Sequence, residues 1–193
     1  SASCWPRCSS CHERTPMQPG ELIASDLGAR PAQPTDLAAA WAILAEVMDP
    51  EVPVVSVVDL GIVRDLDWQA GHLHVVVTPT YSGCPATEVI EGDIRQALEL
   101  GGFKAPQLER KLTPAWTTDW ISASGRERLR AYGIAPPEGS TSKRSLLGES
   151  PLVLCPQCGS AHTEVLSEFG STACKALYRC VDCREPFDYF KCI

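Results

Sequence analysis

The sequence predicts an α+β fold, a small mixed sheet packed with helices, followed by a C-terminal β module stapled by a metal ion. Three observations carry this. Apolar spacing switches from helical to alternating and back between Leu37 and Leu100. A stretch without an apolar face, Glu138 to Ser150, then interrupts the chain. Two Cys-x2-Cys pairs follow in a segment too short to hold a core unaided.

The elements follow in order. Thr35 or Asp36 can cap a helix carrying Leu37, Trp41, Leu44 and Met48 on one face, and Asp49-Pro50 should end it. Ile62 to Trp68 and His72 to Thr78 read as strands, joined through Gln69-Ala70-Gly71 with Gly71 free to take positive φ. A second helix is expected from about Pro85 to Leu100, with Val89, Ile90, Ile94, Ala97 and Leu98 inward and Gly101-Gly102 as its stop. Gln107 to Leu112 is a weaker third strand. Thr118 or Asp119 should start a third helix running through Ile121 and Leu129 to near Gly133.

This divides the 193 residues into an extension (1–34), a folded domain (35–137), a linker (138–150) and the cysteine module (151–193). The extension has five scattered prolines, little apolar periodicity and the expectation of disorder. Met17, one of two methionines, reads as the natural start, with Ser1 to Pro16 as upstream extension. On that reading Cys4, Cys8, Cys11 and His12 carry no function; a small metal knuckle there would lack a partner segment and a core.

Composition removes some classes. Lys+Arg is 17 against Asp+Glu 24, a net charge of −7, which disfavours a protein that neutralises nucleic-acid phosphate. The longest apolar stretch, Leu37 to Met48, contains Glu46 and is too short for a membrane span. The first residues lack the charged-then-apolar order of a secretory signal, so the expected compartment is the cytoplasm. There, ten cysteines read as metal ligands or reactive thiols, not as disulfides.

Cys155-x2-Cys158 and Cys180-x2-Cys183 are separated by 21 residues. Two tight knuckles of this kind present four thiolates to one tetrahedral ion, zinc in preference to iron, in the pattern of a zinc ribbon or a rubredoxin-like site. Gly159 supplies the sharp turn after the first knuckle. Strands are expected at Thr163 to Phe169, Lys175 to Arg179 and Pro186 to Lys191. Cys174 and Cys192 are surplus to a tetrahedral site. Cys192 reads as a packed thiol; Cys174 is either that or an extra ligand.

In the main domain, Thr78-Pro79-Thr80-Tyr81-Ser82-Gly83-Cys84-Pro85 ends a strand, turns and enters a helix. A cysteine at a helix N-terminus meets free amides and a dipole that favour thiolate, which suits a nucleophile or a soft-metal ligand; a merely packed cysteine is equally compatible with the spacing. Asp49-Pro50-Glu51 is either a carboxylate pair or a helix stop. His72 and His74 share a strand face, which more often is the solvated side of a hairpin than a metal pair, and no carboxylate is expected beside them.

Asp49-Pro50-Glu51, Val58-Asp59-Leu60-Gly61-Ile62-Val63 and Thr78-x-Thr80-x-x-Gly83-Cys84-Pro85 resemble the MIP-type iron–sulfur assembly domain shared with the SufT proteins. Pro114-Ala115-Trp116-Thr117-Thr118-Asp119-Trp120, Gly133-Ile134-Ala135-Pro136-Pro137, Phe169-Gly170-Ser171-Thr172-x-Cys174-Lys175 and Phe187-Asp188-Tyr189-Phe190-Lys191 resemble the PaaD family. These are small accessory proteins of the phenylacetyl-CoA epoxidase system of bacterial phenylacetate breakdown. The resemblance spans about residues 36 to 193. It implies that Cys84 holds iron or an iron–sulfur cluster transiently, with Asp49 and Glu51 nearby and Thr80 and Gly83 shaping the loop. It also implies a recipient, the [2Fe–2S] reductase of the epoxidase, and other epoxidase subunits as partners.

Three functions compete. The first is a maturation factor that is not itself an enzyme. One thiolate per chain is a poor permanent cluster site and suits a labile cluster shared across a homodimer or handed to a client. The second is a thiol-dependent redox enzyme, which would want a histidine base beside Cys84; His72 and His74 lie toward the far end of the strand that leads to it. The third is a structural subunit of the oxygenase that docks through its ribbon and touches no cluster.

Overall fold

The computed structural model describes residues 36–138 and 152–191. The cysteine–histidine group at 4–12, most of the expected linker and Cys192 lie outside the described residues. Among the described residues no helix is long and apolar enough to cross a membrane.

The first helix, α1 (Leu37–Leu44), is capped by Asp36, whose Oδ1 accepts from the Ala38 amide at 2.8 Å. It buries Ala40 and Leu44. It is shorter than its apolar spacing suggests. Glu46 and Val47 amides bond three residues back instead of four, tightening the last turn. The chain then reverses, with the Val57 amide on the Val47 carbonyl (2.9 Å) and the Asp49 amide on the Val55 carbonyl (2.9 Å). Met48 consequently leaves the helical face and is partly exposed, bridging to Ser56.

Strands β1 (Val63–Gln69) and β2 (His72–Val77) form an antiparallel hairpin. Gln69 pairs with His72, so the turn is Ala70-Gly71, both at positive φ (49° and 83°), as a two-residue hairpin with the right twist requires. Helix α2 (Thr87–Leu100) crosses over to β3 (Gln107–Arg110), which pairs parallel with β2 and makes it the central strand of three. That second neighbour explains a departure from the hairpin expectation. His74 is buried, with Nδ1 2.8 Å from Asp67 Oδ1 and Nε2 3.2 Å from Glu109 Oε2, so it sits between carboxylates of both flanking strands. On α2 the buried residues are Thr87, Ile90, Ile94 and Leu98; Val89 lies one position off that stripe and faces outward.

The third helix arrives in two pieces. Thr118–Trp120 is a 3-10 turn, and α3 (Ala123–Tyr132) starts afresh at Ser122, whose Oγ accepts from the Gly125 amide at 2.8 Å. Asp59 anchors this helix. It accepts from Ser122 Oγ (2.7 Å), Ser124 Oγ (2.8 Å) and Arg128 Nη1 (3.0 Å). Gly61 (φ +66°) lies directly under Trp120; a Cβ there would stand 2.7 Å from the Trp120 carbonyl oxygen. The Asp59-Leu60-Gly61 stretch thus docks α3.

The ribbon is the antiparallel set β5 (Thr163–Ser167), β6 (Lys175–Cys180) and β7 (Pro186–Phe190). It does not stand apart. Directly after α3, β4 (Ile134–Ala135) pairs parallel with β7, giving a four-stranded order β4-β7-β6-β5. Phe190 and Cys174 belong to the apolar core of the main domain, with the Phe190 ring edge-on to Trp116 at 6.1 Å. Tyr178, Phe187 and Tyr189 pack with Cys155 and Cys180 in a second, smaller core.

Candidate metal and thiol centres

The β2–α2 connection carries Cys84. The Cys84 amide donates to the Tyr81 carbonyl (3.2 Å), and the Cys84 carbonyl accepts from the Thr87 amide (3.2 Å) and the Thr87 hydroxyl (2.9 Å). Cys84 therefore lies in a double turn ahead of the helix. The residue flanking α2 is Ala86, which has no side-chain cap. The sequence placed Cys84 closer to the helix start, because Pro85 suits a first helical position; here the extra turn intervenes.

Cys84 lines a narrow cleft together with Asp49, Glu51, Thr80 and, from the other module, Cys174. Its space is about 20 Å³, room for a water molecule or one ion. Leu60, Ile62 and Val77 form an apolar wall, and Phe190 of β7 contributes from the ribbon. Glu91 also reaches the cleft but is held by Arg110 Nε at 2.7 Å. Among the described residues, no histidine lines this cleft.

Asp49 is buried, and its Oδ1 accepts from the amides of Glu51 (2.9 Å) and Val52 (2.8 Å). It shapes the turn that carries Glu51. Burial pushes its carboxyl above the usual range, with the two amides and nearby Lys175 opposing. Glu51 points Oε2 at Cys174 Sγ, 3.7 Å away. Cys174 is itself buried, with Thr172 Oγ1 3.1 Å from its sulfur. Burial, then the charges of Glu51 and Asp49, push the Cys174 thiol up to about 11. Burial also pushes the Tyr81 hydroxyl up to about 12, reinforced by Cys84, Glu51 and Cys174. Tyr81 thus faces the same group from the loop side.

Gly83 is another matter. Its φ is not positive, and a Cβ would meet only the Tyr81 ring at 3.9 Å. Nothing in the protein's own packing demands glycine there.

The second centre is the four-cysteine cage. Sγ of Cys155, Cys158, Cys180 and Cys183 all lie within 4.8 Å of one another, with Cys158–Cys180 at 3.5 Å and Cys155–Cys183 at 3.7 Å. A zinc ion with Zn–S of about 2.3 Å has tetrahedral edges of about 3.8 Å, so the cage fits such an ion. The two knuckles repeat one design. Cys155 and Cys180 amides donate to the carbonyls five residues on, Ser160 (2.9 Å) and Glu185 (3.0 Å). Gly159 and Arg184, each following the second cysteine of its pair, both have positive φ (74° and 65°). Backbone amides of Cys183 and Asp182 aim at the Cys180 sulfur and hold its thiol below the usual range. Cys174 is not among these four; it opens on the Cys84 cleft instead.

Comparison with known proteins separates the same two parts. Residues 37–105 match the family model "Iron-sulfur cluster assembly protein", and residues 139–191 match "PaaD zinc beta ribbon domain". The chain is 55% identical over 153 residues to an Escherichia coli K12 protein named as a subunit of 1,2-phenylacetyl-CoA epoxidase, covering 79% of this chain and 91% of that protein. The chain belongs to the PaaD family. The iron–sulfur part has further relatives, both named Fe-S protein maturation auxiliary factor. The Porphyromonas gingivalis protein is 37% identical over 82 residues (42% of this chain, 77% of that protein). The Bacillus subtilis protein is 36% identical over 81 residues (41% and 78%).

Sequence reasoning thus brought Cys84, Asp49, Glu51 and Thr80 to one place, and the four ribbon cysteines to another. It missed Glu91 and Phe190 as cleft residues. It also left Cys174 without a location. The signal for Cys174 was its count as a surplus cysteine within Phe169-Gly170-Ser171-Thr172-x-Cys174-Lys175.

Proposed function

We propose that this protein is an accessory maturation factor of a phenylacetyl-CoA epoxidase system in the cytoplasm, handling an iron–sulfur cluster or its iron as cargo for the [2Fe–2S] reductase component. The observation that carries this reading is the cleft in which Cys84 meets the carboxylates of Asp49 and Glu51 against an apolar wall. A thiolate at a solvent-reachable loop binds iron and can release it. Asp49 fixes the turn, Glu51 supplies negative charge toward a cation, and Thr80 borders the thiol. Transfer is a ligand exchange: a client thiol forms a bond to iron and gives up its proton, the bond from iron to Cys84 Sγ breaks, and that proton passes to the released Cys84 thiolate or to water. A nucleophilic enzyme would want a base beside the thiol, and among the described residues the cleft offers no histidine.

The ribbon cage would hold zinc as a resident structural ion, which supplies folding free energy and no chemistry. The other epoxidase subunits, and a second copy sharing the cargo, complete the proposed partners. Zinc-loaded full-length protein reconstituted with iron and sulfide without oxygen tests the reading. Acid-labile sulfide bound by the wild type and lost in Cys84→Ser supports it; equal loading of both overturns it.

A further inference from the structure

The ribbon is usually the part of such a chain that needs no explanation beyond its metal. Here it contributes a thiol to the other centre. Cys174 immediately precedes β6, sits in the main core, and lines the same cleft as Cys84. Two further features bear on what that placement does. Glu51 Oε2 already lies 3.7 Å from the Cys174 sulfur, a carboxylate oxygen and a sulfur converging across the two modules. The space between the lining groups is about 20 Å³, enough to seat one ion. Thr172, whose hydroxyl oxygen lies 3.1 Å from the sulfur, orients it. The carboxylates of Asp49, Glu51 and Glu91 outnumber the basic groups facing the cleft, Lys175 and the Arg110 that pairs with Glu91, so the field favours a cation.

We propose that Cys84, Cys174 and Glu51 form a two-thiolate, one-carboxylate site for a single divalent transition-metal ion at the junction of the two modules. This deepens the cargo reading and rests on it for the identity of the ion, ferrous iron. The donor set is borderline-soft and leaves a coordination position open, which suits an ion that is to be passed on. On binding, each thiol forms a bond to the metal and its proton leaves to water. The ribbon then does more than fold around its own ion. Its zinc cage holds β6 and β7 in register, and β6 delivers Cys174 to the cleft.

The test uses full-length, zinc-loaded protein with one equivalent of Fe2+ under argon, read by iron K-edge absorption and by iron retained after desalting. The wild type should show two sulfur ligands per iron, and Cys174→Ser and Cys84→Ser one each, with affinity reduced roughly tenfold or more in both. Zinc content and proteolytic resistance equal to wild type certify that the variants fold; Cys174→Ala serves if the Ser hydroxyl binds iron. An unchanged sulfur count and affinity in Cys174→Ser overturns the site, while Cys84→Ser still losing sulfide loading would leave the cargo reading standing. Failure of the wild type to retain iron, or four sulfurs per iron, also overturns it. Loss of iron in Cys174→Ser with sulfide loading equal in wild type and Cys84→Ser upholds the site and refutes the cargo reading.

Discussion

Cys174 Sγ and Glu51 Oε2 lie 3.7 Å apart although 123 positions separate them in the chain. The contact joins the ribbon to the loop after α1. Together with the β4–β7 pairing and the Trp116–Phe190 ring contact, it makes the ribbon part of the cleft wall.

Metal removal should therefore be felt at both centres. A structural zinc contributes on the order of 10 kcal/mol to a module this small. Chelation, or Cys180→Ser, should open residues 152–191 to protease while the core around Leu44, Ile94 and Leu98 resists. Cys174, buried in the intact protein, should then react with iodoacetamide as fast as Cys84. Equal protease resistance with and without chelator would contradict this.

Two glycines, one after Leu60 and one before Cys84, should behave oppositely. Gly61→Ala puts a Cβ against Trp120 at positive φ and should cost about 2 kcal/mol or more in chemical denaturation. Gly83→Ala makes only ordinary contact with the Tyr81 ring at 3.9 Å and should change stability by less than about 0.5 kcal/mol. Loss of iron or sulfide loading in Gly83→Ala would then report close approach of cargo to the loop, not misfolding.

The buried Asp49 gives a pH dependence. Its carboxyl is raised above 3.8, so the protonated form is the one the fold prefers. That contribution is fully present below 3.8 and is lost as pH rises through the folded value. Asp49→Asn keeps an acceptor for the Glu51 and Val52 amides and removes the charge. Its stability relative to wild type should increase as pH rises from about 4 to 7. Asp49→Ala should cost about 1–3 kcal/mol because two amides lose their partner. A relative stability of Asp49→Asn that falls over that range would contradict the assignment.

Asp59 has the opposite sign. Burial works against its charge, but Ser122, Ser124 and Arg128 outweigh it and hold the carboxyl below 3.8. Its stabilisation is present above 3.8 and lost as pH falls through the folded value. Asp59→Asn should destabilise the protein by about 1–2 kcal/mol at neutral pH and by less near pH 3, as acid unfolding curves would show.

Local signals made much of this readable. The turn at Ala70-Gly71, the stop after Leu100 and the paired knuckles are each written within a few residues. What could not be read depends on contacts distant in sequence. His74 is buried because β3 brings Glu109 alongside, and no pattern within β2 records that. Helix α1 stops early because Val47 is captured by Val57. Val89 fits the apolar composition of α2 but not the 3–4 spacing of Ile90, Ile94 and Leu98. Cys174 could not be placed from the sequence because its partners, Glu51 and the Cys84 loop, belong to the other module.

The central claim is that Cys84 handles cargo for the epoxidase reductase. The most direct measurement is the [2Fe–2S] content of reductase purified from cells induced with phenylacetate but grown on a second carbon source, carrying either the wild type or Cys84→Ser at equal abundance. Serine keeps the size and removes the soft ligand. The account predicts reductase largely without its cluster in the Cys84→Ser cells and full occupancy beside the wild type; full occupancy in both would contradict it.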